Sequence, residues 1–117
     1  MIALSMSLGV GNGAAKTASG PLTPPTVAPV LIASASNVTG VLDWTASDKT
    51  SSPGFAYRVE LSIASESFNP VNSTTQLFYA DQHNDANGET YTYRITPYNS
   101  AGDGPTSNTA SIILPEA

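Results

Sequence analysis

No cysteine occurs among the 117 residues. The chain therefore has no disulfide framework, no thiolate metal ligand and no sulfur nucleophile. Charge is also scarce, with four lysines and arginines against nine aspartates and glutamates, a formal net charge of -5. The four cations are Lys16, Lys49, Arg58 and Arg94, and they form no cluster. Nucleic-acid binding draws on counterions released by a basic patch, so no nucleic-acid partner is expected. Attraction to anionic lipid fails for the same reason. No stretch approaches the ~20 apolar residues of a membrane span, so no membrane insertion is expected. A signal peptide needs a basic start and an unbroken apolar run. No Lys or Arg precedes Lys16, and the early apolar residues alternate, so none is expected.

Catalytic constellations are missing too. His83 is the single histidine, set in DQHND beside Asp81 and Asp85. Asp, Asn and Gly are turn formers, and a solvated turn accounts for this stretch better than a metal site does. DQHNDANGE offers oxygen donors at Asp81, Asn84, Asp85, Asn87 and Glu89 but lacks the spacing of a calcium loop. A Ser-His-Asp triad would depend on His83, and no Gly-x-Ser-x-Gly elbow is present. Asp43 and Glu60 fall on the outward phase of their strands, with no pocket to make them a hydrolytic pair. GVGNG at residues 9–13 precedes no helix and has no Lys-Ser/Thr, so it is no phosphate loop. Asn37-Val-Thr and Asn72-Ser-Thr match the glycosylation sequon, a frequent coincidence in a chain rich in Asn, Ser and Thr. The expectation is a protein that is not an enzyme and has no cofactor.

What is present is alternation. In MIALSMSLGVG the residues Ile2, Leu4, Met6, Leu8 and Val10 are apolar, and those between them are small. That period describes a strand with one apolar face. Three organisations are expected: residues 1–10 as an anchor strand, 11–23 as a Gly/Ala/Ser/Pro linker, and 24–117 as a domain. Within the domain, strand-like pieces recur between turn residues. They are VAPVLIASA, TGVLDWTA, FAYRVELSI, TTQLFYA, TYTYRITPY and NTASIIL, with SESFNPVNS as a loop or short edge strand. Seven short strands without helical periodicity predict an all-β sandwich of two sheets. Trp44, Tyr57, Val59, Tyr93 and Ile95 are the expected core. Tyr91, after a polar turn, suits a tyrosine corner whose hydroxyl bonds back to the backbone.

From about Pro24 to Pro115 the chain resembles a fibronectin type III domain, most closely in FYADQHNDANGETYTYRITPYNSAGDGPTSNTAS. Tyr79 and Asp81 match the family's aromatic and Asp before the turn. Tyr91, Tyr93, Ile95 and Asn99 match its following strand, Gly102 and Ser107 the turn after, Trp44 its second strand and Tyr57 its third. The resemblance implies a seven-stranded sandwich in which Trp44, Tyr57, Tyr91 and Tyr93 are structural. Pro97 departs from the pattern, which has Ala there, and marks a bulge. The Arg-Gly-Asp tripeptide of integrin-binding members is absent, and no binding site carries over.

The fold alone leaves function open. Residues 2–10 have three possible seats: their own sandwich, the same strand of other copies, or the sheet edge of a different protein. In the last two, Ile2, Leu4, Met6, Leu8 and Val10 are the partner-binding residues. The order of anchor strand, linker and sandwich resembles accessory virion proteins of tailed phages. It implies a non-enzymatic virion component, assembled in the host cytoplasm, whose partners are capsid, tail or baseplate proteins or copies of itself. Its head decorates, spaces or adheres to host surface glycans. The alternative is a bacterial surface or secreted adhesion module. On the head, Phe78, Tyr98 and Ile113 fall on outward phases and form a second interface if they cluster. The loops SDKTSSPG and SAGDGPTS are expected at one end of the sandwich.

Overall fold

The computed structural model describes residues 21–117. The strand expected at residues 2–10, and its five apolar residues, lie outside the described residues. Eight strands are present among those described: β1 (Leu31–Ser36), β2 (Thr39–Trp44), β3 (Ala56–Ile63), β4 (Asn69–Thr74), β5 (Phe78–Gln82), β6 (Thr90–Asn99), β7 (Gly102–Asp103) and β8 (Ala110–Ile113). They form two antiparallel sheets. One has the order β1-β2-β5; the other runs β4-β3-β6-β7, with β8 also pairing β6. The expected all-β sandwich is the observed one, and the strand beyond seven is the two-residue β7.

Period-two patterning explains why these residues make strands. Along β3, Tyr57, Val59 and Leu61 are buried, and along β6 so are Tyr91, Tyr93 and Ile95. Leu31, Leu42 and Trp44 cover them from the facing sheet. The Trp44 and Tyr57 rings meet edge to face at 5.7 Å, and Phe55 and Tyr57 at 5.0 Å, the arrangement ring quadrupoles favour.

Three details differ from the sequence reading. The first strand begins at Leu31, not Val27. Pro24, Pro25 and Pro29 lack donors, and the segment is held by side chains instead. Thr26 donates its amide and hydroxyl to Asp48, and Val27 accepts from the Ser47 hydroxyl. Leu77, in phase with Tyr79 along TTQLFYA and so expected inward with it, lies near Phe55 and Tyr57 but just outside the first residue of β5, where it is 43% exposed.

Pro97 makes no bulge: β6 pairs with β3 in unbroken register from Ala56↔Tyr98 to Ile63↔Tyr91. Ala64 N–H donates to Thr90 C=O at that ladder's end. Hydrogen-bonded pairs alternate along an antiparallel ladder, so the Tyr57↔Pro97 pair is a non-bonded one. The nitrogen of Pro97 therefore faces away from β3, toward the interval between β7 and β8, where no ladder needs its missing donor. The bulge lies at Val59/Glu60, opposite β4.

Candidate functional site: the two sides of the sandwich

On one lateral side the sheets are stitched together. The Asn108 side chain accepts from Leu31 N–H at 2.7 Å and donates to Leu31 C=O at 3.0 Å. It serves edge strand β1 as a substitute backbone partner. The first described residues are fastened on this side. Asn99 Nδ2 donates to Thr23 C=O at 2.9 Å. The Pro25 carbonyl lies so close to Gly104 that a β-carbon there would approach it to 2.6 Å.

The opposite side is formed by β4 and β5, and no described strand pairs with their outer edges. Five of the six β4 residues are exposed. Strand β5 is held from within. Tyr93, on the five-stranded sheet, donates its hydroxyl to Asp81 Oδ2 of β5 at 2.8 Å. His83 Nε2 lies 2.6 Å from the same oxygen, and its ring packs 4.6 Å from that of Tyr91. Gly40, opposite Asp81 in the β2–β5 register, leaves the room this needs: a β-carbon there would come within 2.7 Å of the Tyr93 oxygen. Burial, then the Asp81 contact, raise the Tyr93 phenol far above its ordinary 10.0.

This cluster is a tether between sheets. The Tyr91 hydroxyl makes no hydrogen bond to any described residue, so the expected tyrosine corner is absent and Tyr93 supplies the tie. His83, read as part of a solvated turn, is partly buried and engaged with Asp81. Among the described residues no three His, Cys, Asp or Glu side chains converge as metal ligands. Trp44 and Tyr57 are buried at 5% and 1% exposure.

The free edge of β5 has a definite polarity. Trp44 N–H donates to Leu77 C=O, and His83 N–H donates to Val38 C=O. By alternation, Tyr79 and Asp81 direct their backbone groups at β2. Phe78, Ala80 and Gln82 then aim theirs outward. A groove of about 440 Å³ runs beside this edge, with Val41, Phe78, Tyr79, Ala80 and Thr74 in its lining. Phe78 is 52% exposed, and Ile32, in the same cross-strand row through Asp43, is 68% exposed. The proposed cluster of Phe78, Tyr98 and Ile113 does not form. Tyr98 and Ile113 belong to the other sheet, and Tyr98 lies under the Arg58 guanidinium at 4.9 Å. Phe78 shares its groove with Val41 and Ala80 instead, a grouping visible only once strand order is known. The two expected loops do share one end: Ser100 N–H donates to Pro53 C=O, and Asn99 Nδ2 to the Ser52 hydroxyl.

Solved structures share this architecture. The sandwich is similar to the FN1–FN3 domains of chicken CNTN1, at 25% identity and a TM-score of 0.65, over 80% of this chain and 35% of that one. It is similar to the fibronectin type-III domain of human fibronectin type III domain containing protein 3. There the identity is 24% and the TM-score 0.58, over 86% of this chain and 91% of that domain. The fold is that of a fibronectin type III domain. The twitchin kinase region from C. elegans is also similar, at 20% identity and a TM-score of 0.64, over 80% of this chain and 17% of that one. This chain thus spans about a third of the chicken chain and less of the twitchin region, but nearly all of the human domain. No family model matches it, and no curated protein does.

Proposed function

We propose that this protein is a non-enzymatic interaction and structural protein. A fibronectin type III head is carried behind a docking strand, residues 2–10, as a component of a phage virion. The observation that carries the non-enzymatic part is how the head uses its buried polar groups. Asp81, Tyr93, Asn99 and Ser107 are each engaged in holding strands or loops together. The docking part is supported by the large apolar residues Ile2, Leu4, Met6, Leu8 and Val10 at alternate positions, a pattern suited to adding a strand to a sheet. The virion part is supported by the order of strand, linker and head. In that setting capsid, tail or baseplate proteins, or other copies, take the strand. The head is the part that turns to host glycans in that setting.

The test is where the protein resides in the producing culture. Particles banded on a density gradient and washed cell surfaces are probed with an antibody to the head. The expected result is co-banding with particles, lost when Leu4 and Leu8 are both replaced by Asp. Recovery from the cell surface alone overturns the virion assignment and favours the adhesion module.

A further inference from the structure

We infer that the outer edge of β5 is a strand-receiving site and that its occupant is residues 2–10 of a second copy of this chain. The inference rests on the reading of residues 2–10 as a docking strand and names what that strand docks on.

The two free edges of the open side are not equivalent. Strand β4 is guarded. It carries Pro70, which lacks a donor, and it pairs with β3 across the Val59/Glu60 bulge, both devices that spoil an edge for a newcomer. Strand β5, FYADQ, has no Pro, no Lys and no bulge in its register with β2. Its Phe78, Ala80 and Gln82 each present an N–H and a C=O outward at strand spacing. Beside them lies a mostly apolar groove lined by Val41, Phe78 and Ala80, with Asp43, Thr74 and Gln76 also on its wall. An edge with no proline, lysine or bulge, whose inward charge Asp81 is already held by Tyr93 and His83, and which is flanked by an apolar groove, suits an extended segment with large apolar residues at every second position. Residues 2–10 are such a segment. No charged side chain lies between Met1 and Ala15, so seating the segment beside the groove strands no side-chain charge.

Geometry favours a second copy over the chain's own head. The first described residues are fastened at Asn99 and Gly104, on the side opposite β5. The strand thus leaves from one side of a head and its receiving edge lies on the other. A return to its own β5 would wrap the linker around the head, whereas residues 11–20, up to ~33 Å when extended, cross directly to a neighbouring head. Such a contact joins unlike surfaces and propagates as a ring or a chain of copies.

The experiment uses the full chain, with solution mass by light scattering over a concentration series and amide exchange at β5. The expected result is a mass that rises with concentration, with the amides of Phe78, Ala80 and Gln82 becoming protected in step. Ala80→Pro removes an outward donor and leaves the β2 ladder intact. It and the double variant Leu4→Asp/Leu8→Asp are both expected to stay monomeric, with Tyr79 and Asp81 amides as slow as in the parent. If Ala80→Pro disturbs those two amides, Phe78→Lys charges the groove without touching the backbone and is expected to give the same loss of mass. A monomer at all concentrations overturns the inference. Protection of the three outward amides in that monomer means the segment sits on its own head. Assembly abolished by Leu4→Asp/Leu8→Asp but not by either β5 variant leaves the docking strand standing and removes β5 as its seat. Assembly indifferent to Leu4→Asp/Leu8→Asp overturns the docking-strand reading itself.

Discussion

The two lateral sides of this sandwich solve the same problem differently. Each joins the edge of one sheet to the other sheet by a polar stitch. On the closed side the stitch is Asn108, whose amide matches both backbone groups of Leu31. A primary amide can replace a peptide as donor and acceptor at once, so edge strand β1 has nothing left to offer a newcomer at Leu31. On the open side the stitch is Tyr93 to Asp81. It runs through the interior and ties down a side chain, so the outer backbone of β5 remains available. A sheet edge can therefore be anchored firmly without being closed.

The largest expected effect breaks the interior stitch by crowding. In Gly40→Ala the new methyl meets the Tyr93 oxygen at 2.7 Å and displaces the hydroxyl from Asp81. Overpacking and a lost buried hydrogen bond together cost about 3 kcal/mol. Urea denaturation is the measurement, and a loss of well under half that amount means the site relaxes without giving up the tether. Next is Asn108→Ala on the closed side. Leu31 is 3% exposed, and its N–H and C=O lose their partner together. The expected loss is about 2 kcal/mol, with faster amide exchange at Leu31 and unchanged exchange at Tyr79 and Asp81. Equal acceleration on both sides would mean that the two stitches are not independent.

Much of the fold was legible in the sequence, because a strand that faces the core must alternate. FAYRVELSI and TYTYRITPY state their buried faces residue by residue, and Trp44 and Tyr57 fall where the aromatic pair is found. The edges were not legible for the same reason: they bury little. Strand β4, NPVNST, has no apolar phase to read. Asn108 looks like an ordinary turn residue until the facing sheet is placed beside it. Asp81 belongs to a motif that names no partner for it: Tyr93 is twelve residues away and across the sandwich, and the tyrosine-corner pattern points to Tyr91 and a backbone acceptor instead. The groove beside β5 combines Val41 of β2 with Phe78 and Ala80 of β5, so no single strand announces it. The segment 2–10 reads clearly as a pattern, yet a pattern does not name its seat.

A smaller effect comes from deleting only the hydroxyl of the interior stitch. In Tyr93→Phe the Asp81 carboxylate keeps His83, so the expected loss is about 1 kcal/mol at neutral pH. The pH dependence is more informative. Burial is the main reason the Tyr93 phenol holds its proton in the fold well above its ordinary 10.0. A group raised in the folded state stabilises fully below its unfolded value and loses that contribution as the pH climbs toward the folded one. The parent should therefore lose stability above pH 10, and the Phe variant should lose less over the same range. Parallel alkaline limbs would mean that Tyr93 is not protected by its surroundings.

The smallest effect lies on the outer face of the five-stranded sheet, away from both stitches. Arg58 donates to both Asp103 oxygens at 2.9 Å, holding the carboxyl below its ordinary 3.8. The pair sits in solvent, with side-chain exposures of 28% and 54%, so screening limits what it contributes. Asp103→Asn should cost no more than about 1 kcal/mol. Its sign with pH is opposite to that of Tyr93. A carboxyl lowered in the fold stabilises above its unfolded value and loses that contribution as the pH falls through the folded one. The parent should thus lose stability below about pH 3.8 slightly more steeply than the Asn variant does. Arg58 also rests on the Tyr98 ring, which keeps it in place when Asp103 is gone. The substitution is therefore expected to leave amide exchange at Leu31, Tyr79 and Asp81 unchanged. Movement at any of the three would show that the surface pair reaches the stitches, and that the two sides of the sandwich are coupled through the sheet that joins them.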